Sequence, residues 1–101
     1  MLFEDNNYVR FFWFAMRYSA DWMVLADDRI LEFLSENGPR SPSKMHGSGD
    51  IRYSRGYINS RCQKLANFGL VLNIGNGVYQ ITKEGEQYLD GDLDAIELEN
   101  N

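Results

Sequence analysis

A change of hydrophobic period at Gly69 limits the folds available to this chain. Before that residue the apolar side chains recur at helical spacing, whereas two strand-like runs follow it at positions 70–74 and 78–81. Gly75-Asn76-Gly77 joins the two runs, and an Asn-Gly pair is typical of a tight β-hairpin turn. The sequence therefore predicts helices followed by one two-stranded hairpin.

Two helices are predicted early in the chain by their boundary residues. Asp27-Asp28 suits the start of the first helix, whose apolar positions repeat until Gly38-Pro39 ends it. Ser41-Pro42 supplies an N-cap and a first-turn proline for a short second helix that runs through Met45. Gly47-Ser48-Gly49 then ends or loosens this second helix.

A third helix is predicted to begin at Ser54 and to precede the hairpin. Its apolar stripe, which should face the core, consists of Ile58, Cys62, Leu65 and Gly69. After the hairpin, Thr82 caps a helix that runs through Leu89. This order predicts a mainly α (α+β) winged helix-turn-helix, with a three-helix core, a two-stranded β-hairpin wing and a C-terminal helix.

The chain of 101 residues is long enough for one domain with a modest core. We divide it into an aromatic N-terminal extension (1–19, predicted helical), the winged helix-turn-helix (20–91) and an acidic C-terminal tail (92–101). The longest conspicuous apolar run covers only positions 11–16, whereas a membrane span needs ~20 residues. No membrane segment is therefore predicted.

Charge is segregated along the chain. Positions 38–83 carry seven bases and one acid, a net charge of +6, whereas 1–37 and 84–101 carry −4 and −7. No acid occurs between positions 51 and 82. Because surface charges are screened over roughly 8 to 10 Å, a chain of net charge −5 can still bind a polyanion at its basic middle.

The face of the third helix opposite the apolar stripe is the predicted DNA-binding site. It combines hydrogen-bonding side chains with cations and carries no carboxylate, which suits base edges and phosphates in a major groove. The candidate residues are Arg52, Tyr53, Ser54, Arg55, Gly56, Tyr57, Asn59, Ser60, Gln63, Lys64 and, on the wing, Asn76. The alternative interpretation is an ordinary solvated helix face.

Roles within this set follow from side-chain chemistry. Base reading is assigned to Asn59, Ser60 and Gln63. Positive charge is assigned to Arg52, Arg55, Arg61 and Lys64. Arg61 has a second interpretation, in which it lies sideways and supports the fold. Tyr57 either stacks on the sugar-phosphate backbone or props its helix against the second helix, and Asn76 either contacts phosphate or serves only the turn.

The sequence does not predict an enzyme. It contains no paired carboxylates in a pocket-like context, no phosphate-binding loop and no nucleophile with an adjacent base. Cys62 and His46 are each the only residue of their type, so no metal site, cofactor or intramolecular disulfide is predicted. Cys62 is expected to be a buried core residue in a reduced, cytoplasmic protein, and no small-molecule ligand is evident.

Positions 16–98 resemble the halophage phi-H repressor-like winged-helix proteins of haloarchaea and their viruses. The motifs that carry the resemblance are ADWM (20–23), DDRILEFL (27–34), Ser41-Pro42, Arg61-Cys62 with LANFGL (65–70), GNGVYQIT (75–82) and YLDGDLDA (88–95). The resemblance implies a small DNA-binding transcriptional regulator that is dimeric, with the third helix in the groove.

Two features depart from the family pattern. Gly47-Ser48-Gly49 resembles a short insertion before Ile51, which makes the second helix longer and looser than expected. Relatives tend to begin near Met16, so residues 1–15 are either a genuine extension or upstream sequence read from an early start codon.

A genuine extension predicts a second subunit, because its aromatic segment is too apolar to remain in water. The residues assigned to dimerisation are Tyr8, Phe11, Phe12, Phe14 and Ala15. Apolar groups surround the segment, which favours a dimer-forming helix, and packing within one monomer is the alternative.

The sequence thus favours a homodimeric repressor that binds specific double-stranded DNA. The two third helices of such a dimer would enter successive major grooves about 34 Å apart. The alternative is a protein-interaction module that keeps the winged helix as a scaffold and does not bind DNA. A mobility-shift assay against genomic fragments separates the two hypotheses.

Overall fold

The chain has the element order that the sequence predicts. The computed structural model describes residues 16–99. Its elements are α1 (Leu25–Asn37), α2 (Pro42–Gly47), α3 (Arg55–Asn67), β1 (Val71–Gly75), β2 (Val78–Ile81), α4 (Lys83–Leu89) and a 3-10 turn (Ala95–Glu97). The predicted winged helix-turn-helix is confirmed. The residues assigned to dimerisation, Tyr8, Phe11, Phe12, Phe14 and Ala15, lie outside the described part.

Three helices begin at the hydroxyl residues that the sequence indicates. Ser41, Ser54 and Thr82 are the N-caps of α2, α3 and α4. Each hydroxyl accepts a hydrogen bond from the backbone N–H three residues later, at 3.1 to 3.2 Å. These bonds satisfy donors that a helix start otherwise leaves unpaired, so the local sequence fixes where α3 begins.

Helix α1 begins two residues earlier than predicted. Its first residue is Leu25 and its N-cap is Val24, so the predicted start at Asp27-Asp28 is wrong. Asp27 instead lies in the first turn, where its carboxylate accepts a hydrogen bond from the Val24 N–H at 2.9 Å. The carboxylates of Asp27 and Asp28 are both buried, and their partners lie elsewhere in the fold. The residues around a helix start do not indicate such distant partners.

The core lies between α1, α3, α4 and the hairpin. From α3 it receives Ile58, Cys62 and Leu65, each fully buried, as predicted. Gly69, the fourth residue of the predicted stripe, follows the end of the helix with a φ of +82°, where glycine is favoured. Because this stripe is buried, the opposite side of α3 faces outward.

The hairpin has the tight turn that the sequence predicts. Gly75 pairs with Val78, which leaves Asn76 and Gly77 as the two turn residues, with φ of 56° and 71°. Positive φ at both positions is the type I′ geometry that suits the twist of the strands. Arg40 pairs with Tyr79 of β2 through backbone hydrogen bonds of 2.9 and 3.1 Å. This bridge holds the wing beside the start of α2.

The acidic segment at the C-terminal end packs against the start of the described chain. Ala95 is buried, and its N–H donates to the Tyr18 carbonyl oxygen at 2.9 Å. Leu93 and Leu98 are partly buried against the core. The acidic side chains of this segment point outward, and the domain boundaries after 19 and 91 stay predictions. Within residues 16–99, no helix is long and apolar enough to cross a membrane.

Candidate nucleic-acid interface

The outward side of α3 carries the predicted base-reading residues. Asn59, Ser60 and Gln63 are all exposed, and so are Arg55 and Gly56 in the first turn. Ser54, the N-cap, and Arg52 just before it are also exposed. No element of residues 16–99 covers this face, so its polar groups are open to a ligand.

An open cleft of about 560 Å³ joins this face to the wing. Its lining comes from the start of α2, the first turns of α3 and the hairpin turn: Ser41, Pro42, Ser43, Arg55, Gly56, Asn59, Asn76 and Gly77. The fold thus brings Asn76 together with three predicted residues of α3, Arg55, Gly56 and Asn59. Hydroxyl, amide and guanidinium groups line the cleft, and no carboxylate of the described chain does. Such donors are the ones that contact phosphate and sugar in protein–DNA complexes.

Two tyrosines lie together at the start of α3. The rings of Tyr53 and Tyr57 are 5.3 Å apart at an interplanar angle of 37°. Tyr53 is half-buried, and its carbonyl oxygen lies 3.0 Å from Nδ1 of the exposed His46. Tyr57 keeps 39% of its surface exposed. Tyr57 therefore packs against Tyr53 and still has ring surface open to a ligand. Its stacking on DNA stays a prediction.

Lys64 is held beside an aromatic pair that the sequence did not reveal. Trp22 and Phe68 stack with ring centroids 4.3 Å apart. The ammonium of Lys64 lies 5.9 Å from the Trp22 ring and 5.7 Å from the Phe68 ring. A cation above aromatic faces is attracted by their electron density. The half-buried Lys64 therefore carries its charge at the later turns of α3, away from the cleft.

Of the two roles considered for Arg61, charge for DNA binding and support of the fold, the structure favours support of the fold. Its Nε and Nη2 atoms donate to the two carboxylate oxygens of Asp27 at 2.8 and 2.7 Å, and Nη2 also donates to the Trp22 carbonyl oxygen at 3.1 Å. The Asp27 side chain is 0% exposed and that of Arg61 is 16% exposed. The hydrogen bond to Asp27 raises the pKa of Arg61. Exposed charge on the reading side is left to Arg52 and Arg55.

A second buried polar network joins α1 to α4. The Tyr88 hydroxyl donates to Asp28 at 2.7 Å, and Arg17 lies 3.3 Å from Asp28 and 2.7 Å from Glu32. Arg17 also donates to the Leu89 carbonyl oxygen at 2.9 Å. Burial raises the pKa of Asp28, although Tyr88 and Arg17 oppose that shift. These contacts fasten the segment before α1 to the back of the domain and leave α3 uncovered.

The described residues offer little chemistry of other kinds. Residues 16–99 contain no group of three His, Cys, Asp or Glu side chains that could hold a metal ion. Cys62 is buried, as predicted, and burial raises the pKa of its thiol to about 12. The thiol is therefore protonated near neutral pH and is a core residue.

An exposed polar helix beside a β-hairpin wing defines the class of winged helix-turn-helix proteins. The chain belongs to the winged helix-turn-helix phage repressor family, whose model matches residues 16–101, and this family is one of DNA-binding regulators. Over 91 residues the chain is 36% identical to the repressor protein of Halobacterium phage phiH, covering 83% of this chain and 98% of that protein. The crystal structure of the PhiH1 repressor-like protein from Haloarcula marismortui is similar, with a TM-score of 0.78, 42% identity and coverage of 84% and 97%. The resemblance inferred from the motifs is confirmed.

Proposed function

We propose that this chain is a transcriptional repressor that binds specific double-stranded DNA as a homodimer, with α3 in the major groove. The observation that carries the proposal is the exposed face of α3, which is free of carboxylates and continues through the cleft to the wing turn. The repressor would act by occupying a promoter. Family membership supports DNA binding.

The exposed side chains of α3 divide into base-reading and phosphate-contacting groups. Asn59, Ser60 and Gln63 project from the middle of the outward face and present amide and hydroxyl groups, which hydrogen-bond base edges. Arg52 and Arg55 lie at the start of the helix, where a helix in the groove meets the phosphates. Since Arg52 and Arg55 are the exposed arginines at this end of α3 within residues 16–99, affinity should rest strongly on base contacts and fit.

Gln63 provides the sharpest test of specific binding. Gln63→Ala should weaken binding by roughly 1 to 3 kcal/mol, mainly at one base position, because the side chain is exposed and assigned to a base edge. Arg55→Ala should instead weaken binding to all sequences alike. Selection of duplexes from a random library with each variant, followed by affinity measurements, gives both results. Equal losses on random and selected duplexes for both variants would contradict the assigned roles.

The homodimer is supported by apolar side chains near the two ends of the described chain. Of the eight exposed large apolar residues in residues 16–99, five lie near the two ends of the sequence described, and we term them the terminal surface: Met16, Tyr18, Val24, Leu25 and Ile96. The bond between Ala95 and Tyr18 places Ile96 beside Tyr18. Residues 1–15 precede Met16 in the chain and carry aromatic side chains, each able to bury about 150 to 250 Å² in an interface. A stable interface buries about 800 Å² per partner, and several such aromatic side chains would supply much of that area.

Deletion of residues 1–15 should convert the dimer to a monomer, because it removes the aromatic part of the proposed interface. Light scattering of the full chain and of a chain beginning at Met16 measures the change, and circular dichroism checks that both are folded. Changing Phe11 and Phe14 to serine in the full chain is the matched test, since it keeps the length. A full-length chain that scatters as a monomer at micromolar concentration would refute the dimer but not DNA binding.

A further inference from the structure

Helix α3 contains a glycine that its own backbone does not require. Gly56 is the second residue of the helix and is exposed. Its φ is not positive, so any residue could adopt its conformation. Glycine destabilises a helix relative to alanine because it loses more conformational freedom on folding. Local structure therefore favours another residue at this position.

Packing within the domain does not require glycine at this position either. Apart from chain neighbours and the adjacent backbone of α3, no atom of residues 16–99 lies within 4 Å of an ideal Cβ placed on Gly56. Gly85 in α4 is the opposite case, since a Cβ there would collide with the Leu70 carbonyl oxygen and the Ile81 side chain. The fold explains Gly85, but it does not explain Gly56.

The open space beside Gly56 belongs to the cleft between α2, α3 and the wing. Around it lie the guanidinium of Arg55, the hydroxyls of Ser41 and Ser43, and the amide of Asn76. All can donate hydrogen bonds to phosphate and sugar oxygens, which take part in about half to two-thirds of the hydrogen bonds in protein–DNA complexes. A ligand strand in this cleft would meet the Gly56 backbone directly, because no side chain stands in between.

We infer that one sugar-phosphate strand of the duplex passes through this cleft in van der Waals contact with the backbone of Gly56. The inference rests on the proposed function and adds to it a steric determinant of how deeply α3 enters the groove. Glycine is used where a backbone must closely approach a ligand. A methyl group at Gly56 would hold the strand away and lengthen the hydrogen bonds from Arg55 and its neighbours.

Gly56→Ala should change stability and binding in opposite directions. The melting temperature Tm should rise by about 2 to 6 °C, because alanine is the better helix former. Binding should weaken about 5- to 100-fold, which is the typical effect of forcing a methyl group into a filled contact. The probes are a random-sequence duplex and the duplex pool that the unmodified protein enriches from a random library. Because a sugar-phosphate contact carries no sequence information, affinity for the random duplex should fall as well. Affinity for the enriched pool should fall by at least the same factor, because α3 then enters the groove less deeply.

Gly47→Ala is the matched control. Gly47 ends α2 at the side away from the cleft, is exposed and has no atom within 4 Å of an ideal Cβ. Its variant should bind both probes like the unmodified protein. If Gly56→Ala also binds like the unmodified protein, or loses affinity only for the enriched pool, the inference is overturned while the proposed function stands. If the unmodified protein binds neither probe, the proposed function fails and takes the inference with it.

Discussion

Replacing Arg61 with alanine should lower the free energy of unfolding by about 3 to 5 kcal/mol. The substitution would leave the carboxylate of Asp27, which is 0% exposed, without its two hydrogen bonds from the guanidinium. An unpaired charge in a buried position is penalised strongly, because water cannot replace the lost partner. Urea denaturation followed by circular dichroism measures the change.

Two companion variants separate this cause from a general effect of losing an arginine. Arg55→Ala removes the same kind of side chain from an exposed position of the same helix and should change stability by less than about 0.5 kcal/mol. Adding Asp27→Asn to Arg61→Ala removes the buried charge but keeps an acceptor for the Val24 N–H, so part of the lost stability should return. A loss below about 1 kcal/mol in Arg61→Ala would contradict a structural role for the pair.

Local sequence predicted the elements well because caps, turns and apolar spacing act over a few residues. Ser54 fixed the start of α3, and Asn76-Gly77 fixed the hairpin turn. The outward side of α3 followed directly from the buried stripe through Ile58 and Leu65. Most predicted site residues of α3 are therefore exposed, whereas Lys64 is half-buried beside Trp22 and Phe68. Their contacts with DNA stay predictions.

Long-range partners account for what the sequence did not reveal. Asp27 looked like a capping residue at a helix start, because nothing nearby in the sequence shows that Arg61 reaches it from 34 positions away. The charge of Lys64 looked free for DNA, yet Trp22 reaches it from another part of the fold. Positions 92–101 looked like an acidic tail, whereas Ala95 is buried and its N–H donates to the Tyr18 carbonyl oxygen. In each case the environment of the side chain depends on a residue far away in the sequence, which the spacing of neighbouring residues does not identify.

Reversing the charge at Arg55 should have the largest effect on DNA binding. Arg55 is exposed and lines the cleft, and it takes part in none of the salt bridges found within residues 16–99. Arg55→Glu would place a carboxylate in the proposed path of the phosphates, and like charges at an interface repel by several kcal/mol. Affinity for random and selected duplexes should fall about 100-fold or more. Stability should be unchanged or slightly higher, because an acid in the first turn suits the helix dipole.

Lys83→Glu is the matched control for this reversal. Lys83 is also exposed and is also the first residue of a helix, so the change in net charge and in helix position is the same. It lies beyond the end of β2, away from the hairpin turn, and does not line the cleft. Screening over about 8 to 10 Å should limit its effect on affinity to a few-fold.

A salt titration shows whether Arg55 acts through phosphate. The logarithm of affinity falls with the logarithm of salt concentration by about 0.9 for each phosphate contact, so Arg55→Ala should reduce the slope by about 1 per subunit. The unmodified protein should have a shallow slope, because only Arg52 and Arg55 offer exposed arginine charge at the start of α3. Lys83→Ala should leave the slope unchanged. A slope equivalent to about eight or more phosphates per subunit would show that other cations carry the binding and that the cleft is not its centre.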